Sequence, residues 1–253
     1  MLCLGQPLAQ EYNRARTEEP DGPFLFWRDR AITFSIDASG CPDTDLGQTR
    51  AAVIRAFATW ESQPCTDIFF IFEGMVEGAE PNHLTGEADG HNLIMWVMDW
   101  PDEWGSDKLA LTNFVWNERT GEILDVDIVF NARDYYWTAG DRTVTDIENV
   151  LVHEIGHLLG FAHTTDPDAS MYDGYVEGEI EKRDLSATDI HGLCEVYPSG
   201  RPTPDVPDLG INEDELGSGG CQCTSVGPRI GLGWTTLFLL AAMAALVLSR
   251  NRR

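Results

Sequence analysis

A chain of 253 residues with 43% hydrophobic and 10% aromatic content can bury the core of one sizeable domain with appendages, which excludes wholesale disorder. Its formal charge of −25 and its two lysines, Lys108 and Lys182, exclude nucleic acid as a partner, because phosphate contact needs clustered Lys and Arg. The excess carboxylates read as a solvated, self-repelling surface, with oxygen-ligand sites for calcium as the functional alternative.

The first twenty residues open with "MLCLGQPLAQEYNRART". They read either as the remnant of a signal peptide ending near Ala9 or as a frayed terminus. "AITFSID" (31–37) alternates apolar and polar residues, as a half-buried strand does. A helix follows over 46–61, with Val53, Ala56, Phe57 and Trp60 on one face. "IFFIF" (68–72) and "NLIMWVM" (92–98) read as buried strands, and "LALTNFVW" (109–116) and "EILDVDIVF" (122–130) as two more.

Six cysteines are too few for a disulfide scaffold at this length but suit an exported protein. Cys41 and Cys65 flank the first helix and can close a loop, whereas Cys194 reads as a buried thiol. A second helix is expected from Asp146, opened by a Thr145–Glu148 capping box and stopped at Gly160. A third covers 186–196. Residues 199–229 have the Pro, Gly, Asp and Glu content of a linker, with Cys221 and Cys223 in "GSGGCQC". Residues 230–248 carry no charge and are long enough to cross a bilayer core of roughly 30 Å. Arg229 precedes the run and "RNRR" ends the basic tail 249–253, so the C-terminus should stay cytoplasmic and the main domain lie outside.

Half of the six histidines fall in "HEIGHLLGFAH". On a helix His153 and His157 share one face, Glu154 projects beside them, and a turn at Gly160 brings back His163. Three neutral imidazoles leave a fourth position open on zinc, the arrangement of a catalytic site, and Glu154 is the candidate general base.

The run H-E-x-x-H-x-x-G-x-x-H, followed by Met171 in "ASMYDGY", resembles the metzincin signature, and within it the matrixins. "LALTNFVW", "GEILDVDIVFN" and "LSATDIHGLCEVYP" resemble the matrixin substrate-binding edge strand, the strand before the active helix and the closing helix. The resemblance covers residues 21–198 and implies an α+β, zincin-like fold: a twisted, mixed five-stranded sheet with three helices, to which the sequence adds a C-terminal transmembrane helix. It further implies a zinc endopeptidase with His153, His157 and His163 as ligands, Glu154 as base and Met171 as the floor of the site. Leu109, Ala110, Leu111 and Thr112 would bind a protein or peptide substrate by strand addition. The specificity loop is expected within 172–184.

Three departures stand out. Asp173, two residues after Met171, leaves no tyrosine ligand, and the chain carries no "PRCGxPD" motif for latency. Val129 stands where a second, structural zinc would take a histidine, with only His83 and His91 left in nearby loops. Asp125, Asp127 and Asn131 could offer calcium ligands or form a solvated strand face.

The tail, "GGCQC", 230–248 and "RNRR", resembles the tripartite sorting signal of myxobacterial surface proteins. It implies export, handling by sorting and processing machinery near Cys221 or Cys223, and display at the cell surface or release; a plain membrane anchor is the alternative. Two rival functions are a surface-displayed, zinc-containing binding or adhesion module without turnover, and a zinc hydrolase of non-peptide amides or esters.

Overall fold

Pairing of apolar strands around a helix-covered face organises the chain, seen here in a computed structural model that describes residues 11–78, 80, 88–140 and 144–204, and the backbone of 216–224. In order come β1 (Asn13–Arg14), β2 (Ala31–Asp37), α1 (Leu46–Glu61), β3 (Phe69–Val76), β4 (Leu93–Val97), β5 (Lys108–Asn117), β6 (Ile123–Asn131), β7 (Trp137–Thr138) and β8 (Thr145–Asp146). Then follow α2 (Ile147–Leu158), β9 (Phe161–Ala162), α3 (Ala187–Val196) and β10 (Leu216–Thr224). The five expected strands form one mixed sheet, with β3, β2, β4 and β6 parallel and β5 antiparallel to β6. A sixth strand, β10, lies antiparallel against the outer side of β5.

The buried face of α1, which includes Val53, Ala56, Phe57 and Trp60, is the one its apolar spacing predicted. Phe57 stacks on Phe34 of β2 with centroids 3.8 Å apart, and the Trp60 indole donates to the Val152 carbonyl of α2 at 2.8 Å. These contacts set α2 against the sheet, and every residue of α2 is buried.

Several expectations need correction. β3 is an edge strand, not a buried one: Phe69 and Ile71 are 45% and 42% exposed, while Phe70 and Phe72 pack inward. The N-cap of α2 is Asp146, whose carboxylate accepts the Asn149 amide at 2.8 Å. Glu148 does not close a capping box; it pairs with Arg55 at 2.7 Å, and Asp146 pairs with Arg183 at 2.5 Å. The disulfide is Cys65–Cys194, not Cys41–Cys65, and Cys41 is a buried free thiol. Spacing along the chain could not reveal that α3 packs over the segment after α1, where Ser199 also donates to the Cys65 carbonyl at 2.9 Å.

The domain limits also move. β1 pairs with β9 and Ala15 joins the core, so residues 12–15 belong to the domain and not to a loose N-terminal segment. Within the region of linker composition, Thr203 is buried and accepts from Arg30 at 2.9 Å. Residues 216–224 form a strand. Residues 1–10, His83 and the apolar run 230–248 lie outside the described residues. Among the described residues no helix is long and apolar enough to cross a membrane.

Candidate metal centre

The helix α2 puts His153 and His157 one turn apart on one face, and its end delivers the third imidazole. Gly160 adopts φ +86, a conformation that costs an L side chain strain, and a Cβ there would come within 2.6 Å of the Leu25 carbonyl oxygen. The chain reverses into β9, where β1 pairs with it, and the Asn13 side chain donates to the His163 carbonyl at 2.8 Å.

The three imidazoles converge. His163 Nε2 lies 3.2 Å from His153 Nε2 and 3.1 Å from His157 Nε2. Four ligands at about 2.0–2.1 Å around tetrahedral zinc sit roughly 3.3–3.4 Å apart, so the two distances to His163 are close to what such an ion sets. On the far side of two rings, His153 Nδ1 faces the Ser170 carbonyl at 2.6 Å and His157 Nδ1 faces the Phe161 carbonyl at 2.8 Å. A carbonyl only accepts, so both rings carry their proton on Nδ1 and turn an Nε2 lone pair inward. Two inward lone pairs thus face His163 Nε2, a donor set that suits a cation. Burial also pushes the imidazoles toward the neutral form that a metal requires, with neighbouring positive charge adding to it: His157 falls to about 3 and His153 well below the usual value.

Glu154 is fully buried on the same helix. Burial raises its carboxyl to about 8, against the opposing pull of the Thr112 hydroxyl and the Lys182 charge. Thr112, on β5, donates to Glu154 Oε2 at 2.6 Å, while Oε1 is buried with no hydrogen-bond partner. One carboxylate oxygen is thus anchored to the sheet and the other has no hydrogen-bond partner.

Met171 is buried beneath α2, where a Cβ on Gly156 would overlap its Sδ. This explains the glycine within H-E-I-G-H. The turn around Met171 is pinned by Asp189 of α3, whose carboxylate accepts the Ser170 amide at 2.7 Å, the Met171 amide at 3.3 Å and the Ser186 amide at 2.8 Å. Lys182 Nζ donates to the carbonyls of Tyr172 and Gly174 at 2.6 and 2.5 Å, fixing the following loop. Asp189 was legible only as part of the Leu-Ser-x-x-Asp pattern, and Lys182 only as one of two lysines in an acidic chain.

The candidate calcium residues find their partners away from the histidines. Asp125 and Asp127 are buried, which overturns the solvated strand face. Asp125 Oδ2 accepts the amides of Asp89 and Gly90 at 2.7 and 2.9 Å, and Asp127 Oδ1 accepts that of Leu93 at 2.8 Å. The Asn131 Oδ1 accepts from Arg133 and Asp134 at 3.1 and 3.0 Å. Among the described residues, the three histidines are the one group of His, Cys, Asp or Glu able to hold a metal. Val129 packs with Trp100 and Leu111 in a small apolar cluster. Leu109, Ala110, Leu111 and Thr112 lie in the antiparallel strand as expected, but its outer side is not free: Cys221 pairs with Thr112 and Cys223 with Ala110.

Fold and site together define a three-histidine cluster able to hold a metal ion, with a carboxylate beside it, set between a helix and an antiparallel strand. Residues 105–198 match the sequence profile of the matrixin family. The chain is 35% identical over 242 residues to interstitial collagenase of Bos taurus, covering 85% of this chain and 46% of that protein. It is 26% identical over 206 residues to interstitial collagenase of Sus scrofa, covering 75% and 38%. Against human matrix metalloproteinase-16 it is 30% identical over 195 residues, covering 71% and 30%. These findings support a matrixin-like metalloprotease, and the chain spans less than half the length of these relatives.

Proposed function

We propose that this chain is an exported zinc-dependent endopeptidase. The observation that carries the reading is the approach of His163 Nε2 to within 3.2 Å of both His153 Nε2 and His157 Nε2, with all three ligand atoms within 4.8 Å of one another, beside a buried carboxylate oxygen without a partner. When bound by His153, His157 and His163, zinc would supply Lewis acidity, acidifying a water and polarising a carbonyl.

The chain's own residues do the rest. Glu154 Oε1 takes the proton of the attacking water as its oxygen bonds to the peptide carbon, and returns it to the amine as the C–N bond breaks. Thr112 holds the other carboxylate oxygen, so Oε1 has one orientation. An extended substrate would lie along Leu109, Ala110, Leu111 and Thr112, bound by main-chain hydrogen bonds. Beyond Met171, the loop frames a cavity of about 700 Å³ lined by Tyr172, Tyr175, Val176, Glu177 and Lys182, with room for one substrate side chain.

Export is supported by the Cys65–Cys194 disulfide, which suits an oxidising compartment, and by the uncharged run 230–248 with its basic end, which would anchor the chain at least transiently. The test is metal content together with turnover. The full chain should hold one zinc, lose it on His163→Ala, and cleave members of a mixed peptide library only while zinc is present. Zinc retained without cleavage of any peptide would favour the binding module.

A further inference from the structure

The strand proposed to receive substrate already carries a neighbour from the same chain. β10 runs antiparallel to β5 from Leu216 opposite Asn117 to Cys223 opposite Ala110, and the pairing shifts between Cys223 and Thr224 as it ends near Lys108. Cys221 stands directly across from Thr112, the residue whose hydroxyl holds Glu154. β10 also reaches α2, the helix that bears the metal ligands. Its backbone therefore takes the position and the hydrogen bonds that an extended peptide would take.

The sequence of this strand fits an occupant that can leave. Gly217, Gly219 and Gly220 offer no side chain to pack and disfavour strand structure, so the main chain and the tether supply most of the association. The tether is short, residues 205–215 after Pro204, and keeps the strand at an effective concentration in the millimolar range.

We infer that residues 216–224 are a built-in competitor for the peptide-binding strand, filling it in cis until substrate displaces them or the tail is removed. This rests on the reading of β5 as the substrate strand. A tether giving about 1 mM against a strand affinity of about 0.1 mM raises the apparent KM roughly tenfold and leaves kcat alone, as intramolecular competition requires.

The experiment uses the full chain in detergent, with a recognition site for a sequence-specific protease introduced within 205–215 and cut after folding. Cutting and dilution should lower KM about tenfold at constant kcat, and a synthetic peptide of residues 214–226 should restore the inhibition competitively. Backbone amides of 109–116 should be protected from hydrogen exchange before the cut and exchange faster after it. Ser218→Pro with Gly220→Pro in the uncut chain should have the same two effects, because proline removes the strand's donors. Unchanged KM together with unchanged exchange would overturn the inference. So would inhibition that grows with protein concentration, which would assign the strand to a second copy. Loss of all turnover in cut and uncut chains would sink the peptidase reading, while hydrogen exchange would still decide whether the tail is docked.

Discussion

Replacing Glu154 with glutamine should stabilise the zinc-free chain at pH 8 and hardly affect it at pH 5. The Glu154 carboxyl is fully buried, and burial raises it from 4.5 to about 8. A raised carboxyl contributes stability that is fully present below its unfolded value and is lost as pH rises through its folded value. The window here runs from about 4.5 to about 8. At pH 8 the linkage gives a ceiling of about 4 kcal/mol of destabilisation from this one group, and at pH 5 less than about 1 kcal/mol. Water entering the cleft lowers the ceiling, so a gain of about 2–4 kcal/mol at pH 8 is expected from the variant. Glutamine keeps the size of the side chain, and its carbonyl still accepts from Thr112. Urea unfolding of both proteins in chelator, at the two pH values and with equal m, gives the difference directly. With zinc present the gain should shrink, because the cation offsets the buried charge. Equal stabilities at pH 8, or the same gain at both pH values, would refute the argument from burial.

Acid should act on the histidines in the opposite sense. His153 and His157 are both depressed, His157 to about 3, so their contribution is present above about 6.5 and is lost as pH falls below it; the urea unfolding free energy of the zinc-free chain between pH 7 and 4 should drop by up to about 1.4 kcal/mol per pH unit from His157, with His153 acting in the same direction. Cys194→Ala should cost about 2–5 kcal/mol by thermal unfolding, whereas Cys41→Ala leaves the disulfide intact and should cost less. Gly156→Ala drives a Cβ into Met171 and to 2.9 Å from Trp60, so unfolding should show a loss of about 1–3 kcal/mol and zinc titration a weaker site.

Much of the site was readable because its residues are consecutive. His153, Glu154 and His157 share one helix, and Gly160 is the turn that returns His163, so 3.6-residue periodicity and one glycine suffice to assemble them. The sheet strands were legible for the same local reason. What escaped depends on distant partners. The Cys65–Cys194 pairing needs α3 to meet the segment that follows α1. The burial of Asp125 and Asp127 needs the loop at Asp89 and Gly90 and the amide of Leu93, which give those carboxylates donors. β1 resembled a frayed terminus because two residues of pairing leave no periodic signal. β10 resembled a linker because a glycine-rich strand held by its main chain has no apolar alternation to read.

The central claim is that Glu154 is the proton carrier of a zinc peptidase. The most direct measurement is the rate of peptide-library cleavage by wild type and Glu154→Gln, each verified to hold one zinc. The account predicts a fall of roughly 10²–10⁴-fold at unchanged zinc content. Cleavage by the variant at the wild-type rate would contradict it.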